Sequence, residues 1–379
     1  MIYADNAATS RLDPEAFSAM KEFLTEDYAN PSQPYSFSRN SKKAIKTSRE
    51  RIAECIDAEP DEIFFTSGGS ESDNWAVKGI NPNVIIKSPI EHHAVINACE
   101  FMKRFSRSQV IYLPVNDKGT VNLHELERIL KSINASRILV SVMTANNEIG
   151  TLQPVNDIAE ISHKYNAVFH TDSVQAAGHM NISVKSMNID MLSASAHKFN
   201  GPRGTGFLYV RRGTELMPLI HGGSQEKNMR AGTENTAGIA GMSAALENNC
   251  KNIKRNQNHI ISLEKILLEG LNSSGLDFII NGDEKNKLPG IISVSFKHSD
   301  GEMIMHRLDL MNICVSTGSA CDGERKEISH VIRSIHVPDD YSRGTIRISL
   351  GKYNSHDDVS GILNALKKIL LPFNSCRRL

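Results

Sequence analysis

Two rhythms of apolar residues alternate along the first two thirds of this chain. The stretch "SKKAIKTSRERIAECI" (Ser41 to Ile56) places its apolar positions at helical intervals, so it predicts an amphipathic helix. "EIFFTSGGSESDNWAVKGI" reads as a short apolar strand, a glycine turn and a helix, and "NVIIKSPIEHHAVINACEFMKRF" repeats that order. "QVIYLPV", "SRILVSVM" and "AVFHTD" are further strands, and "HELERILK" and "VNDIAEISHKY" are helices between them. Continuous apolar strands alternating with amphipathic helices predict an α/β fold, with a mostly parallel sheet covered by helices on both faces.

Beyond Cys250 the rhythm changes. "NIKRNQNHIISLEKILLEGLNSS" predicts one long helix. Strands follow at "DFIIN" and "IISVSF", then a helix at "GEMIMHRLDLM", a strand at "GTIRISLG" and a closing helix at "HDDVSGILNALKKILLPF". This order predicts a smaller α+β domain, with the division near residue 252. The expected arrangement is a large domain over 14–252 and a small domain built from 1–13 and 253–379.

Composition narrows the classes of function. The 379 residues carry a formal net charge of zero with no long block of one sign, so direct nucleic-acid binding has no electrostatic footprint in the bulk charge. Six scattered cysteines without a CxxC pair suit reduced thiols in a cytoplasmic protein rather than a disulfide framework. The opening "MIYADNAATSRLDPEAF" lacks the basic-then-apolar pattern of a signal peptide, and no run approaches the ~18 apolar residues of a membrane span.

Polar clusters sit where the predicted strands end: "TSGGSES", "EHH", "NNE", "DSVQ" and "SAHK". Ligands of such sheets gather at the carboxyl ends of strands, so five ends are placed to converge on one ligand. Gly68, Gly69 and Ser70 precede a helix and suit an anion at its N-terminus; a plain cap by Ser70 or Ser72 is the competing reading. Neither a P-loop nor a GxGxxG fingerprint is present, which leaves a nicotinamide dehydrogenase without support. Asp172 ends an apolar strand, either as a helix cap or as a buried carboxylate awaiting a cation. His92 and His93 lack HExxH spacing; one of them is a capping or core residue, or a ring stacked on a flat cofactor. Lys198 follows four small residues and a histidine. In a partly desolvated pocket its amine is nucleophilic and suited to an imine with a carbonyl cofactor; the alternative is a lysine reaching out to solvent. Arg347 alternates with Ile346 and Ile348 on a strand, so it points away from their face and suits capture of a carboxylate. Cys321 lies in "STGSACDGERKEISHVI", flanked by small residues and followed by Arg325, Lys326 and His330, a setting that favours a thiolate.

In order, the segments "YADNAAT", "NPS", "FTSGGSESDN", "EHHAV", "NNEIGTLQP", "TDSVQAAG", "AHKFNGPRGTGFLYVR", "HGGSQE", "RAGTEN", "GSAC", "SHV" and "IRISLG" resemble the NifS/IscS-like cysteine desulfurases, within the class V aminotransferase-like enzymes of fold-type I. The resemblance runs almost from end to end. It implies pyridoxal 5'-phosphate as cofactor and a large domain with a seven-stranded type of sheet. Carried over by position, it implies that Lys198 holds the cofactor covalently and that Asp172 pairs with its pyridine nitrogen. His92 stacks on the ring, and Gln175 reaches the phenolic oxygen. Gly69, Ser70, Ser195 and His197 hold the phosphate, joined by Thr233 from a second subunit, which implies a homodimer. Asn147 and Arg347 bind the substrate carboxylate, and Cys321 accepts sulfur.

The implied reaction converts L-cysteine to L-alanine and leaves a persulfide on Cys321. Lys198 moves the α-proton, and His92 serves as an acid. A sulfur-acceptor protein then takes the sulfur, for iron–sulfur assembly, tRNA thiolation or DNA sulfur modification. A selenocysteine lyase, or another pyridoxal-phosphate lyase of the same fold, is the alternative. Ile328 stands where relatives commonly have proline, and Ala196 where glycine is frequent.

Overall fold

The computed structural model describes residues 1–317 and 328–376. Its strands are β1 (Ile2–Tyr3), β2 (Ile63–Thr66), β3 (Val84–Lys87), β4 (Gln109–Tyr112), β5 (Ile138–Ser141), β6 (Val168–Asp172), β7 (Met191–Ser195), β8 (Gly206–Val210), β9 (Phe278–Asn281), β10 (Ile291–Phe296), β11 (Ile313–Cys314) and β12 (Thr345–Ser349). Seven of them form one sheet in the order β2-β8-β7-β6-β5-β3-β4. Only β8 runs against its neighbours, so the other six point the same way and deliver their carboxyl ends to one edge.

Residue chemistry accounts for this sheet. β2, β3, β5, β7 and β8 are buried along their whole length, as continuous apolar runs covered on both faces must be. β4, at the sheet edge, is exposed at Gln109 and Tyr112. The first four helices are α1 (Pro14–Thr25), α2 (Arg39–Cys55), α3 (Gly69–Gly79) and α4 (His93–Phe105). α1 begins where Asp13 accepts a bond from the Glu15 N–H and Pro14 fixes the first helical φ. Ile86, Val140, Phe169, Leu192 and Phe207 belong to the main buried cluster on one side of the sheet. Trp75, Ile85, Cys99, Leu139 and Leu208 form a second cluster under α3 and α4.

A separate core lies around the antiparallel sheet β9-β10-β12, where Leu263, Leu267, Val294, Ile346, Ile348 and Leu366 pack together. The long helix predicted after Cys250 spans Ile253–Asn272, and the closing helix spans His356–Cys376. The N-terminal segment joins both cores. β1 pairs with β11, and Ala4 belongs to the smaller core, whereas Ala7 belongs to the larger one. Among the described residues, no helix is long and apolar enough to cross a membrane.

Candidate active site

β7 ends at Ser195, and the chain turns at once through the short 3-10 segment Ala196–Lys198. The half-buried Lys198 amine donates to the carbonyl oxygens of Ala7 at 2.6 Å and Ala8 at 2.9 Å. The turn is clamped from the same side: the His197 carbonyl accepts from the Ser10 N–H at 2.8 Å and from its Oγ at 2.7 Å. Lysine therefore stands at the end of a buried strand with its charge shared between two backbone carbonyls, and it does not reach out to solvent.

Beside Lys198 lies the start of α3. Gly68, not Ser70 or Ser72, is its N-cap, and its φ of +148° favours glycine. A Cβ on Gly69 would lie 2.6 Å from Val174 Cγ2, and one on Gly206 would lie 2.5 Å from the Ala194 carbonyl oxygen and 2.6 Å from Gly68 Cα. These glycines let the helix N-terminus sit directly on the ends of β7 and β8, with Ser67 and Ser70 facing the space beyond. Ser195 and His197 face the same space. The His197 Nδ1 is 3.2 Å from Thr9 Oγ1, and burial, together with the nearby Lys198 and Arg203 charges, pushes its pKa down to about 4. An N-terminus of a helix ringed by hydroxyls is a ready-made seat for a phosphate.

At the opposite end, Asp172 is buried and its Oδ1 accepts from the Val174 N–H at 2.9 Å. Burial pushes its pKa up to about 6, against the pull of that N–H and of Lys198. Among the described residues, His170 lies two positions before Asp172 on the same strand. His170 is fully buried between Ser141 Oγ (2.9 Å) and Ser193 Oγ (3.0 Å), and burial holds its pKa down at about 3, so the ring is neutral. Asp73, on α3, faces the same cavity and is also buried, and its Oδ1 makes no hydrogen bond among the described residues. Burial, followed by the neighbouring Asp172 charge, raises its pKa well above the ordinary carboxylate value. A buried carboxyl is the arrangement that a protonated ring nitrogen completes.

His92 caps α4, its Nδ1 accepting from the Ala94 N–H at 3.1 Å. Burial, Lys198 and the flanking His93 and His330 drive its pKa down to about 4, so the neutral ring carries its proton on Nε2. The His93 ring lies edge-on to His330, 4.9 Å between centroids. Arg347 enters from β12. Its Nη2 donates to Asp5 Oδ1 at 2.8 Å and its Nη1 to the Asn147 carbonyl at 2.9 Å. Its Nε is buried without a hydrogen-bond partner among the described residues. Gln175 donates to the Ala7 carbonyl at 2.9 Å.

Gly69, Ser70, His92, Asn147, Asp172, Gln175, Ser195, His197, Lys198 and Arg347 all line one cavity of about 480 Å³. Thr233 is exposed and is not part of this lining, and Cys321 lies outside the described residues. Sequence reasoning assigned no role to Asp5, Ala7, Ala8, Asp73 or Arg203. The first three lie in "YADNAAT", a segment noticed only as a motif. The donor set fits pyridoxal 5'-phosphate. Gly69, Ser70, Ser195 and His197 would hold the phosphate, Asp172 the ring nitrogen, Gln175 the phenolic oxygen and His92 the ring face, with Lys198 as the covalent anchor.

The comparisons agree with this geometry. A "Cysteine desulfurase IscS" of Dictyoglomus turgidum is 43% identical over 375 residues, covering 97% of this chain and 94% of that protein. A solved "NifS-like protein" superimposes with a TM-score of 0.91 at 36% identity, covering 98% of this chain and 99% of the other. A structure titled "SspA in complex with cysteine" gives a TM-score of 0.81 at 34% identity, covering 94% and 100% of the two chains. The family described as "Aminotransferase class-V" matches residues 2–362, and the chain belongs to that family.

Proposed function

We propose that the protein is a pyridoxal-phosphate-dependent cysteine desulfurase, which converts L-cysteine to L-alanine and retains the sulfur as a persulfide on Cys321. The observation that carries this reading is the shared cavity, where Lys198, Asp172 and Arg347 line one space. Bound pyridoxal phosphate supplies an electron sink there. Arg347 and Asn147 take the substrate carboxylate and fix the amino acid in one orientation. The Lys198 amine moves the α-proton, and the Nε2–H of His92 protonates the desulfurised product. The Cys321 thiolate forms the S–S bond while the substrate C–S bond breaks, and the electrons of that bond pass to the three-carbon fragment that leaves as alanine.

Further parts of the reading concern surroundings. Thr233 is exposed at the tip of its loop, which supports its reaching the phosphate site of a second subunit in a homodimer. A persulfide is a carrier state, so a sulfur-acceptor protein completes the cycle. The scattered free thiols Cys55, Cys99, Cys250 and Cys314 suit a reducing, cytoplasmic setting. The division into 14–252 and the paired 1–13 and 253–379 is supported by the two separate cores, although Ala7, Leu288 and Ile291 pack in the larger one.

The test is to incubate purified protein with L-cysteine and measure alanine and protein-bound persulfide together. Both should appear, and Cys321→Ala should keep the visible absorbance of the bound cofactor while forming no persulfide. Normal sulfide release by that variant would reject Cys321 as acceptor, and absence of alanine from the unmutated protein would reject the activity itself.

A further inference from the structure

Two cysteines outside the cavity lie side by side. α2 and the helix Thr236–Lys251 pack along their lengths with matching helical spacing. Ser48 Oγ meets Ser243 Oγ at 3.0 Å, and one turn on Arg51 Nε lies 3.7 Å from Glu247 Oε2. Steps of three and four residues along each helix keep the same face in contact, so the next pair in this row is Cys55 and Cys250. The structure shows that meeting: Cys250 Sγ donates toward the Cys55 carbonyl oxygen at 4.0 Å, and each thiol perturbs the ionisation of the other. Both are only partly covered, so a small solute reaches them. Both lean on the main buried cluster from its edge.

We propose that Cys55 and Cys250 form a reversible disulfide under peroxide. In the first step one of the two sulfurs attacks hydrogen peroxide, the O–O bond breaks, and the products are a sulfenic acid and water. In the second step the other sulfur attacks that sulfenic sulfur, the S–O bond breaks, and a second water leaves. Two electrons pass from the thiols to peroxide, and a dithiol reductant reverses the change. Strands β2 to β8 all lie between residues 55 and 250 in sequence, so this cross-link closes a loop around the entire seven-stranded sheet. A link enclosing so long a loop restricts the unfolded chain strongly and raises the melting temperature.

The test treats unmutated holoenzyme with hydrogen peroxide and maps cross-links without reduction. Trypsin leaves Cys55 in the peptide 52–78 and Cys250 in the peptide 231–251, one cysteine in each. The expected result is these two peptides joined, separated again by dithiothreitol, with a higher melting temperature for the oxidised protein. In Cys55→Ser and in Cys250→Ser the joined peptides should be absent and peroxide should no longer raise the melting temperature. Peroxide that oxidises other cysteines while leaving these two peptides separate would overturn the proposal. An unchanged melting temperature after complete cross-linking would overturn the stabilising role.

Discussion

Replacing His170 by glutamine isolates the physical demand that the cavity makes on its floor. In the function proposed above Asp172 pairs with a cationic ring nitrogen, so nothing beneath it should carry positive charge. His170 meets this by staying neutral: it is fully buried, and burial holds its pKa near 3 instead of the ordinary 6.5. The sign follows from proton linkage. The unfolded chain protonates this histidine below about pH 6.5, whereas the folded one resists until about pH 3. The neutral buried ring thus contributes stability that is fully present above pH 6.5 and is lost as pH falls toward 3. At pH 5 the gap from the unfolded value is 1.5 pH units, and at about 1.36 kcal/mol per unit the loss is about 2 kcal/mol. Glutamine does not titrate, and its amide still offers a bond to Ser141 or Ser193. His170→Gln therefore has a fixed offset at pH 7, and its difference from the unmutated protein should shrink by about 2 kcal/mol at pH 5. Urea unfolding of both proteins at the two pH values, in the same state of cofactor loading, measures this. A stability difference that stays constant between pH 7 and pH 5 would refute the reasoning, because it would mean that His170 titrates alike in both states.

Three other perturbations probe the site and its frame. Arg347→Leu removes the buried guanidinium that faces the cavity; loss of charged hydrogen bonds worth about 1.5–3 kcal/mol should raise KM for cysteine roughly 10- to 100-fold with a smaller change in kcat, read from steady-state kinetics. Gly206→Ala drives a methyl against the Ala194 carbonyl oxygen at 2.5 Å and Gly68 Cα at 2.6 Å; overpacking of about 1–3 kcal/mol should lower the melting temperature and weaken pyridoxal phosphate binding together. Glu226→Ala breaks a buried fork in which Arg49 donates to both carboxylate oxygens, at 2.8 and 2.6 Å, and the Phe65 N–H donates at 2.9 Å; a loss of about 3–5 kcal/mol is expected in urea unfolding.

Much of the sheet was legible because buried parallel strands carry no polar face to blur the signal. "EIFF", "VIIK" and "ILVS" read as strands for the reason that they are buried at every position. Most of the ten cavity residues were legible because they lie at or just beyond strand ends, or at a helix start, on the one edge where six strand ends meet; Arg347 comes instead from the middle of β12 in the other sheet. Some readings set as alternatives proved compatible. His92 and Asp172 each accept a backbone N–H two residues on, as caps do, and each also faces the cavity. Other features left no trace. The carbonyls of Ala7 and Ala8 act through backbone, which every residue possesses, across 191 and 190 positions of sequence. Asp73 sits in the polar run "SESDN", which suggests an exposed face, but α3 packs closely on β7 and buries it. Asn147 was named for its side chain, and its carbonyl oxygen is what holds Arg347.

The backbone of the N-terminal segment resolves a conflict that side chains alone leave standing. Lys198, from the turn after β7, and Arg347, from β12, line one cavity, and like charges in a confined space repel. The segment from Asp5 to Ser10 lies against both. Asp5 takes one arm of the Arg347 guanidinium, and Ala7 and Ala8 take the Lys198 amine. Thr9 and Ser10 fix the histidine and carbonyl just before that lysine. Each cation is thus partly compensated by this segment, and the two bonds leave three of the five Arg347 N–H groups for other partners. Because β1 pairs in the smaller unit while Ala7 packs in the larger core, the same six residues hold Arg347 and Lys198, proposed above to bind the substrate carboxylate and the cofactor, in register. A substrate carboxylate and a substrate amino group lie a fixed distance apart on one carbon, and a single short strap is the simplest way for two sheets to match that distance.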